Sequence, residues 1–374
     1  MGSNVFDVAV IGAGIAGSSA AAQISADRRV ALIEAEDAPG YHTTGRSAAI
    51  WILNYGPPDV RVLTGLSRAA FEHPPAGFVD VPLAQSRGIV FLAPPEQKAA
   101  LDQMLNEGRG GLRPASLAEV KALIPALKPD YAAGAAIEED AFDMDVAALH
   151  QGYLRQLRAN GGTLTVRSRT GTIKRDRAVW HVETSSGAWF EAPVLVNAAG
   201  AWGDVVAGQA GVPPVGLVPK RRTGVIIDPA PYDCRAWPMA NDVDHTWYIR
   251  PEARTKLMVS PADETDMHPH DVQPDELDIA IAIDRMQQAL DIEVRRVEHT
   301  WAGLRTFAPD RNFVLGFDPV HEGFFWCVGQ GGYGIQTAPA AGRLVADLIA
   351  GRDPGEAGAV IPGMSPARFA KVRA

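Results

Sequence analysis

The sequence predicts an α/β protein of two domains, and three observations support this prediction. An apolar, β-branched run at residues 5–11 leads at once into a glycine-rich turn and then into a helix of small residues. Further along the chain, strand-like runs alternate with segments of helical periodicity. The chain has 374 residues, which is more than one compact core usually contains.

Composition and charge restrict the class of protein. The hydrophobic content of 47% is that of an ordinary globular protein, and the net charge of -9 argues against a nucleic-acid partner. Only two cysteines occur, Cys234 and Cys327, so we expect neither a disulfide framework nor a metal site. No stretch reaches the roughly 20 apolar residues that a membrane span requires. We therefore expect a cytoplasmic protein without an integral membrane segment, and peripheral contact with the inner membrane stays open.

The glycine-rich turn has the spacing of a dinucleotide-binding loop. Gly12 permits a tight turn, Gly14 lets a pyrophosphate approach the backbone, and Gly17 allows the helix to pack closely on the strand. Ile15 and Ala16 stand at the helix N-terminus, where unpaired N–H groups and the positive dipole end attract phosphate. The turn therefore predicts a phosphate-bearing cofactor.

The next two segments indicate which cofactor binds. A second strand-like run, residues 29–33, leads to Glu34 and Ala35 about 20 residues after the turn, where an acid binds ribose hydroxyls. The same charge disfavours the 2′-phosphate of NADP, which leaves NAD or FAD. The loop at residues 39–49 favours FAD because its glycines, hydroxyls and single arginine can wrap a longer cofactor. The loop residues expected to bind FAD are Thr43, Thr44, Gly45, Arg46, Ser47 and Ala48.

The C-terminal region predicts a second cofactor loop. A strand-like run at residues 323–328 precedes a glycine-rich stretch, and we expect Thr337 to cap the following helix with Pro339 in its first turn. Such a helix N-terminus can face N1 and O2 of a flavin, where negative charge accumulates on reduction. The residues expected at the cofactor here are Gly331, Gly332, Tyr333, Gly334, Ile335 and Gln336.

The middle of the chain supplies further elements. A helical pattern begins near Asp145 and ends at Gly161, and the runs at residues 162–173, 179–184 and 188–191 alternate like a small meander. A buried strand then ends in small residues that allow close backbone approach. The residues of this region expected at the cofactor are Thr170, Ala199, Gly200 and Trp202.

These features together resemble a known family. The sequence is similar to the glycine oxidase and D-amino-acid oxidase superfamily, and within it to the bacterial D-arginine dehydrogenases. The similarity rests on residues 40–49 (GYHTTGRSAA), 74–78 (PPAGF), 150–155 (HQGYLR), 219–222 (PKRR), 298–305 (EHTWAGLR) and 323–337. It implies a Rossmann-like FAD-binding domain and a substrate-binding domain built on a mixed sheet. We assign residues 1–80, 141–221 and 301–374 to the first domain, and residues 81–140 and 222–300 to the second.

The resemblance also implies roles for single residues. Arg222 and Arg305 would bind a substrate carboxylate, which a guanidinium can hold through two hydrogen bonds. Tyr55, on a mobile loop that covers the substrate, and Tyr248 would line the substrate pocket. The residues expected beside the flavin and the substrate amine are Gly332 and Gln336.

The sequence departs from the D-arginine dehydrogenases in the pocket for the substrate side chain. Ile89 stands where those enzymes have a carboxylate for the guanidinium, and Ile50 and Ile52 replace polar loop residues. Met239 completes the expected pocket. An apolar pocket cannot compensate a guanidinium for the hydration that it loses on burial. We therefore expect a D-amino acid with an apolar side chain as substrate.

The expected reaction is hydride transfer from the substrate Cα to flavin N5, giving an imino acid that hydrolyses to a 2-keto acid and ammonia. We expect FAD to be bound non-covalently, because residues 304–316 contain no cysteine to attach it, in contrast to covalent relatives. Oxidation of a 2-hydroxy acid stays an alternative, but it needs a histidine as base, which the sequence does not place. Oxidation of a secondary amine and a role as a flavin-binding subunit also stay open, as does the electron acceptor, oxygen or a quinone.

Overall fold

The computed structural model describes residues 4–252 and 255–369. Its helices are, in chain order, α1 (Ile15–Ile24), α2 (Pro58–Glu72), α3 (Lys98–Glu107), α4 (Leu117–Leu123), α5 (Val146–Ala159), α6 (Gly203–Gln209), α7 (Glu276–Ala289), α8 (Gly334–Ala350) and α9 (Ile361–Met364). Its strands are β1 (Val8–Ile11), β2 (Val30–Ile33), β3 (Ile50–Trp51), β4 (Ala84–Ser86), β5 (Ile89–Ala93), β6 (Leu112–Ala115), β7 (Gly134–Glu138), β8 (Phe142–Met144), β9 (Thr163–Thr165), β10 (Thr170–Asp176), β11 (Val179–Thr184), β12 (Trp189–Ala192), β13 (Val194–Asn197), β14 (Val218–Ile227), β15 (Met239–Asp242), β16 (Tyr248–Glu252), β17 (Lys256–Ser260), β18 (Val297–Phe307), β19 (Val314–Phe317) and β20 (Phe324–Val328). The predicted α/β fold is confirmed.

A mostly parallel sheet carries the glycine-rich loops. Its strand order is β19-β20-β13-β1-β2-β9, and β19 runs antiparallel to β20 at one edge. The strands β1 and β2 are completely buried, as expected for apolar runs in a sheet with helices on its faces. Parallel strands have their carboxyl ends at one edge, so the loops that follow β1, β2, β13 and β20 meet there. This edge is where such folds bind their ligands.

A second, mixed sheet has the strand order β18-β14-β17-β16-β15-β5-β7-β6. Within it β5 and β15 are parallel, whereas β14 and β18 form a long antiparallel pair from Val218–Phe307 to Ile227–Val297. The assignment of the two domains stays a prediction. Its boundaries after residues 221 and 300 fall inside β14 and β18, so these two strands join the proposed domains.

The region between the two sheets corrects one prediction. The helix predicted from Asp145 is α5, and the Asp145 carboxylate accepts the Ala148 N–H over 2.8 Å at its start. The run at residues 162–173, predicted as one strand of a meander, is instead two strands. Its first part is β9, which extends the parallel sheet beside β2, and its second part begins β10 of the meander β10-β11-β12. The chain changes sheets at Arg167, whose φ is +53°.

Two further features concern the whole described chain. Among residues 4–252 and 255–369, no helix is both long enough and apolar enough to cross a lipid bilayer. The same residues contain no cluster of histidine, cysteine and acidic side chains arranged to hold a metal ion.

Candidate active site

A cavity of about 550 Å³ lies along the carboxyl edge of the parallel sheet. Its volume is in the range of cofactor and ligand pockets. The predicted cofactor residues in its wall are Gly12, Gly14, Ile15, Ala16, Glu34, Ala35, Thr43, Thr44, Arg46, Ser47, Ala48, Thr170, Ala199, Gly200, Trp202, Gly331, Gly332, Gly334 and Ile335. The structure thus brings together loops that are separated by more than three hundred residues in the sequence.

Two glycines of the first turn are required by the backbone. Gly12 has a φ of +100°, and a Cβ there would lie 2.5 Å from the Ala198 carbonyl oxygen. A Cβ at Gly17 would lie 1.8 Å from the carbonyl oxygen of Gly12, although Gly17 itself is behind the cavity wall. No other residue type fits these positions, so strand, turn and helix N-terminus can form a cradle for a pyrophosphate.

Side chains from the neighbouring loops fix the shape of this cradle. One carboxylate oxygen of Glu34 accepts the Ala13 N–H over 2.8 Å, and the other accepts the Glu36 N–H over 2.9 Å. A carboxylate has about four acceptor positions, so Glu34 can still bind ribose hydroxyls from the cavity wall. Thr44 Oγ1 accepts the Ile15 N–H over 3.0 Å, which joins the second loop to the start of α1.

The C-terminal helix α8 begins earlier than predicted. It starts at Gly334 after Tyr333, so Thr337 is an internal residue whose hydroxyl donates to the Tyr333 carbonyl over 2.8 Å, and Pro339 lies inside the helix. The prediction of Thr337 as N-cap was therefore wrong. The side chain of Tyr333 makes no capping hydrogen bond, so the helix end keeps N–H groups available for a ligand in the cavity.

Besides Gly17, three predicted cofactor residues lie outside the wall of this cavity. Gly45 donates its N–H to the Gly40 carbonyl over 2.8 Å and closes the turn of its loop. Tyr333 packs against Tyr55 with a ring-centroid distance of 4.8 Å. The side-chain nitrogen of Gln336 donates to Thr64 Oγ1 over 2.8 Å and to the Ile52 carbonyl over 3.3 Å. Its side-chain oxygen accepts the Ile52 N–H over 3.4 Å. The Gln336 amide therefore holds the loop after β3 and is not free to bind a ligand.

A second cavity of about 60 Å³ adjoins the first. The two cavities share the wall residues Ser47, Ala48, Arg222, Tyr248, Arg305, Gly332 and Ile335. Of the predicted pocket residues, Ile50, Ile52, Tyr55, Met239 and Gln336 also line the second cavity. Ile89 does not, since it is completely buried beside Met239 on the adjacent strand β5. The junction of the two cavities is the place where a substrate can meet a cofactor.

The two arginines at this junction differ in their surroundings. Arg222 on β14 and Arg305 on β18 lie diagonally across an antiparallel pair, since Arg222 is opposite Gly303 and Arg305 is opposite Lys220. They therefore share one face of the sheet. Arg222 donates to the Asp263 carbonyl over 2.9 Å and forms an ion pair of 3.3 Å with Glu264. The charge of Arg222, one of the two arginines predicted to bind the substrate carboxylate, is thus partly neutralised by Glu264.

Arg305 has no such counter-ion. Among the described residues it forms no ion pair, and its Nη1 donates a hydrogen bond to the hydroxyl of Tyr55 over 3.1 Å. Burial opposes ionisation of Tyr55, but the charges of Arg305 and Arg222 outweigh it and lower the pKa of the phenol. A half-buried guanidinium that has no counter-ion is costly, so Arg305 can bind an anionic group of a ligand.

Sequence reasoning missed two polar residues of the second cavity. Asn241 lies on β15 directly opposite Tyr248, and His245 lies in the turn that follows β15. Burial, together with the charges of Arg222 and Arg305, lowers the pKa of His245 to about 4 against the opposing charge of Asp242, so the ring is neutral near pH 7. Asn241 could have been found from strand periodicity, because it is two residues after Met239.

The two buried carboxylates Glu138 and Asp242 accept hydrogen bonds from other donors. Glu138 accepts the Leu53 N–H over 2.6 Å and the Asn54 side-chain amide over 2.8 Å. Asp242 accepts the Thr246 N–H over 2.6 Å and the hydroxyl of the same residue over 2.7 Å. The wall of the second cavity, as far as the structure describes it, contains no aspartate or glutamate. A substrate guanidinium would find no counter-ion there.

Comparison with known proteins gives the family. The sequence pattern of the family "FAD dependent oxidoreductase" (DAO) matches residues 7–348. The bovine FAD-dependent oxidoreductase domain-containing protein 1 is 28% identical over 201 residues, which are 48% of this chain and 40% of that protein. The chain thus spans less than two thirds of the length of this relative.

The fold is shared with solved structures at low sequence identity. Glycine oxidase from Geobacillus kaustophilus has a TM-score of 0.82 at 20% identity, covering 94% of this chain and 96% of its own. L-proline dehydrogenase from P. horikoshii has a TM-score of 0.85 at 18% identity, covering 98% of each chain. The family match, together with the fold and the cavity for the cofactor, leads to one conclusion: the chain belongs to the DAO family of FAD-dependent oxidoreductases.

Proposed function

We propose that this FAD-dependent oxidoreductase oxidises the Cα–N bond of a D-amino acid whose side chain is uncharged and mainly apolar. The observation that carries the proposal is the position of Arg305, a cation without a counter-ion at the junction of the cofactor cavity and the smaller cavity. A carboxylate bound there would remove the cost of the unpaired charge.

The carboxylate would also orient the substrate. With its carboxylate on Arg305 and on the less available Arg222, an amino acid has its Cα close to the shared wall of the two cavities. Holding the reacting atom in one place converts binding free energy into rate. FAD, when bound, supplies the acceptor for a hydride from Cα.

The choice of an amino acid as substrate has two supports. The names of the two solved relatives, glycine oxidase and L-proline dehydrogenase, refer to amino acids. The D configuration follows from the resemblance of the sequence to the D-arginine dehydrogenases. The preference for an uncharged side chain follows from the isoleucines at 50 and 52, from Met239 and from the absence of an acidic side chain in the described wall.

Oxidation of a 2-hydroxy acid is a second candidate, and His245 favours it. A hydroxyl must lose its proton when hydride leaves Cα, so this reaction benefits from a neutral histidine near the substrate. His245 lines the smaller cavity, and its ring lies edge-on to Tyr55 with a centroid distance of 5.5 Å. In the contact with Asn241, Nδ1 of His245 accepts a hydrogen bond and Nε2 carries the proton, so the ring would have to leave Asn241 to act as a base. An amino acid in its neutral amine form needs no such base.

Anaerobic reduction of the flavin separates these candidates. The purified protein would be mixed without oxygen with D-amino acids, their L enantiomers and the corresponding 2-hydroxy acids, and the loss of flavin absorbance near 450 nm would be followed. We expect D-amino acids to bleach the flavin fastest. Faster bleaching by 2-hydroxy acids would establish the second candidate, and faster bleaching by L-amino acids would reject the D configuration.

A further inference from the structure

Two polar side chains in the smaller cavity are not used by the proposed reaction. Asn241 is 3% exposed on β15, and its side-chain amide nitrogen lies 2.5 Å from Nδ1 of His245. His245 has a left-handed backbone with a φ of +55°, which turns the chain back towards the strand. Both residues belong to the cavity wall, together with Tyr248 on the neighbouring strand.

The contact between the two side chains fixes the proton on the imidazole. An amide nitrogen can only donate, so Nδ1 of His245 accepts and the proton of the neutral ring is on Nε2. The ring is held edge-on between Tyr55 and Phe91, with centroid distances of 5.5 and 6.2 Å. His245 therefore presents one N–H donor in a fixed orientation.

Each of the two side chains keeps one unused hydrogen-bonding group. The Oδ1 atom of Asn241 is buried and has no hydrogen-bond partner among the described residues. No hydrogen bond of the described residues involves Nε2 of His245 either. Buried polar groups in folded proteins are almost always paired, so an unpaired acceptor in the wall of a ligand cavity indicates that the ligand pairs it.

We propose that Asn241 and His245 recognise a neutral group on the substrate side chain that both donates and accepts hydrogen bonds. This inference rests on the proposed function and changes the preferred side chain from a mainly apolar one to a neutral polar group on a short stem. A primary carboxamide is the simplest match, because its NH₂ group can donate to Oδ1 of Asn241 while its oxygen accepts from Nε2 of His245. A carboxylate does not match, because it cannot donate to Oδ1.

The remainder of the cavity agrees with a short hydrocarbon stem before this group. Ile50, Ile52 and Met239 line the same cavity and can contact methylene groups. The structure therefore revises the apolar pocket predicted from the sequence, which contained these residues without Asn241 and His245. The best substrates would be D-amino acids such as D-Asn or D-Gln, ahead of D-Leu or D-Met of the same size.

The test uses two carboxylic acids that have no amino group and therefore can bind without being oxidised. Succinamate and 4-methylpentanoate correspond to D-Asn and D-Leu without the amino group, and they have nearly the same shape. Each would be titrated into the FAD-loaded protein while the flavin absorbance spectrum reports binding. We expect succinamate to bind about tenfold tighter or more, because 4-methylpentanoate leaves both polar groups unpaired. Equal or tighter binding of 4-methylpentanoate would overturn the inference.

The variant Asn241→Leu tests whether the preference for succinamate comes from Asn241 and His245. It should reverse the preference in favour of 4-methylpentanoate, and the ratio of kcat/KM for D-Asn over D-Leu should change in the same direction. Met239→Leu, on the same strand, is the matched control and should affect both acids alike. If Asn241→Leu does not fold, the comparison in the unmodified protein decides alone.

The outcomes also separate this inference from the proposed function. If succinamate and 4-methylpentanoate bind equally tightly, the inference that the cavity recognises a polar side chain is wrong, whereas the proposed oxidation of amino acids is unaffected. If neither acid perturbs the flavin and no D-amino acid bleaches it, the proposed function fails and this inference fails with it.

Discussion

Nη1 of Arg305 donates a hydrogen bond to the hydroxyl of Tyr55 over 3.1 Å, so a cation from β18 is joined to the loop that follows β3. The ring of Tyr55 is also packed against Tyr333 at the start of α8. The loop thus contacts the group proposed to bind the substrate carboxylate and the helix proposed to face the flavin. Its position should therefore depend on charge as well as on packing.

Tyr55 should limit anion binding at alkaline pH. Its pKa is lowered because the charges of Arg305 and Arg222 outweigh the effect of burial. When the phenol ionises, the phenolate pairs with Arg305 and competes with a carboxylate ligand. The dissociation constant of 4-methylpentanoate should therefore rise at a pH below the ordinary tyrosine pKa of about 10. Tyr55→Phe should not show this rise, and a parallel rise in both proteins would contradict the account.

Glu138 should make the stability of the protein depend on pH. Burial raises its pKa to about 7, although hydrogen bonds from Asn54 and Leu53 oppose the shift. The folded state then binds a proton that the unfolded state has released, so the free energy of unfolding should fall as pH rises from about 4.5 to about 7, by up to about 3 kcal/mol.

The variant Glu138→Gln has no titrating carboxyl at this position, so its free energy of unfolding can be compared with that of the unmodified protein. Chemical denaturation of both proteins between pH 4.5 and pH 8 would give the difference in the free energy of unfolding at each pH. We expect the unmodified protein to lose stability relative to the variant as pH rises. A difference that stays constant over this range would show that Glu138 does not titrate there.

The flavin should be released by acid. Residues 304–316 contain no cysteine, and Cys234 and Cys327 do not belong to the wall of the larger cavity in the described part of the chain. Precipitation with acid should therefore give a yellow supernatant and a colourless pellet. His42 lines the cavity, with its ring 4.6 Å from that of Trp202, and is the first residue to test if the colour remains in the pellet.

D-Arg should be a poor substrate in spite of the resemblance to the D-arginine dehydrogenases. Its guanidinium would lose solvation in the smaller cavity without gaining a counter-ion, because Glu138 and Asp242 are occupied by other donors. We expect a higher kcat/KM for D-Leu, D-Met and D-Phe than for D-Arg, measured with an artificial electron acceptor. The highest value for D-Arg would show that one of these two carboxylates reaches the substrate.

The strand, tight turn and helix at residues 8–24 could be predicted from local sequence, because the glycine spacing reveals them. A Cβ at Gly17 would clash with the Gly12 carbonyl oxygen within this unit, whereas Gly12 is required by its φ of +100° and by the carbonyl oxygen of Ala198 after β13. Thr337 was misplaced because side-chain preferences for capping do not apply to a helix end that keeps its N–H groups for a ligand.

The substrate cavity was harder to predict, because it depends on contacts between distant segments. Ile89 is on the expected strand, but its complete burial is set by the packing of neighbouring strands. His245 enters the cavity from a turn without any periodic pattern, so no sequence signal marks it. The pairing of Arg222 with Glu264 likewise joins β14 to the segment that follows β17, which lies about 40 residues further along the chain.

The central claim is that Arg305 binds the carboxylate of an amino acid substrate, and Arg305→Met tests it most directly. Removing the partner of a buried carboxylate costs about 3–5 kcal/mol, so kcat/KM for anaerobic flavin reduction by D-Leu and D-Asn should fall roughly 10²–10⁴-fold. Arg352→Met, which removes a surface arginine paired with Asp347, should leave the rate unchanged. A fall of less than about threefold in Arg305→Met, with FAD still bound, would contradict the account.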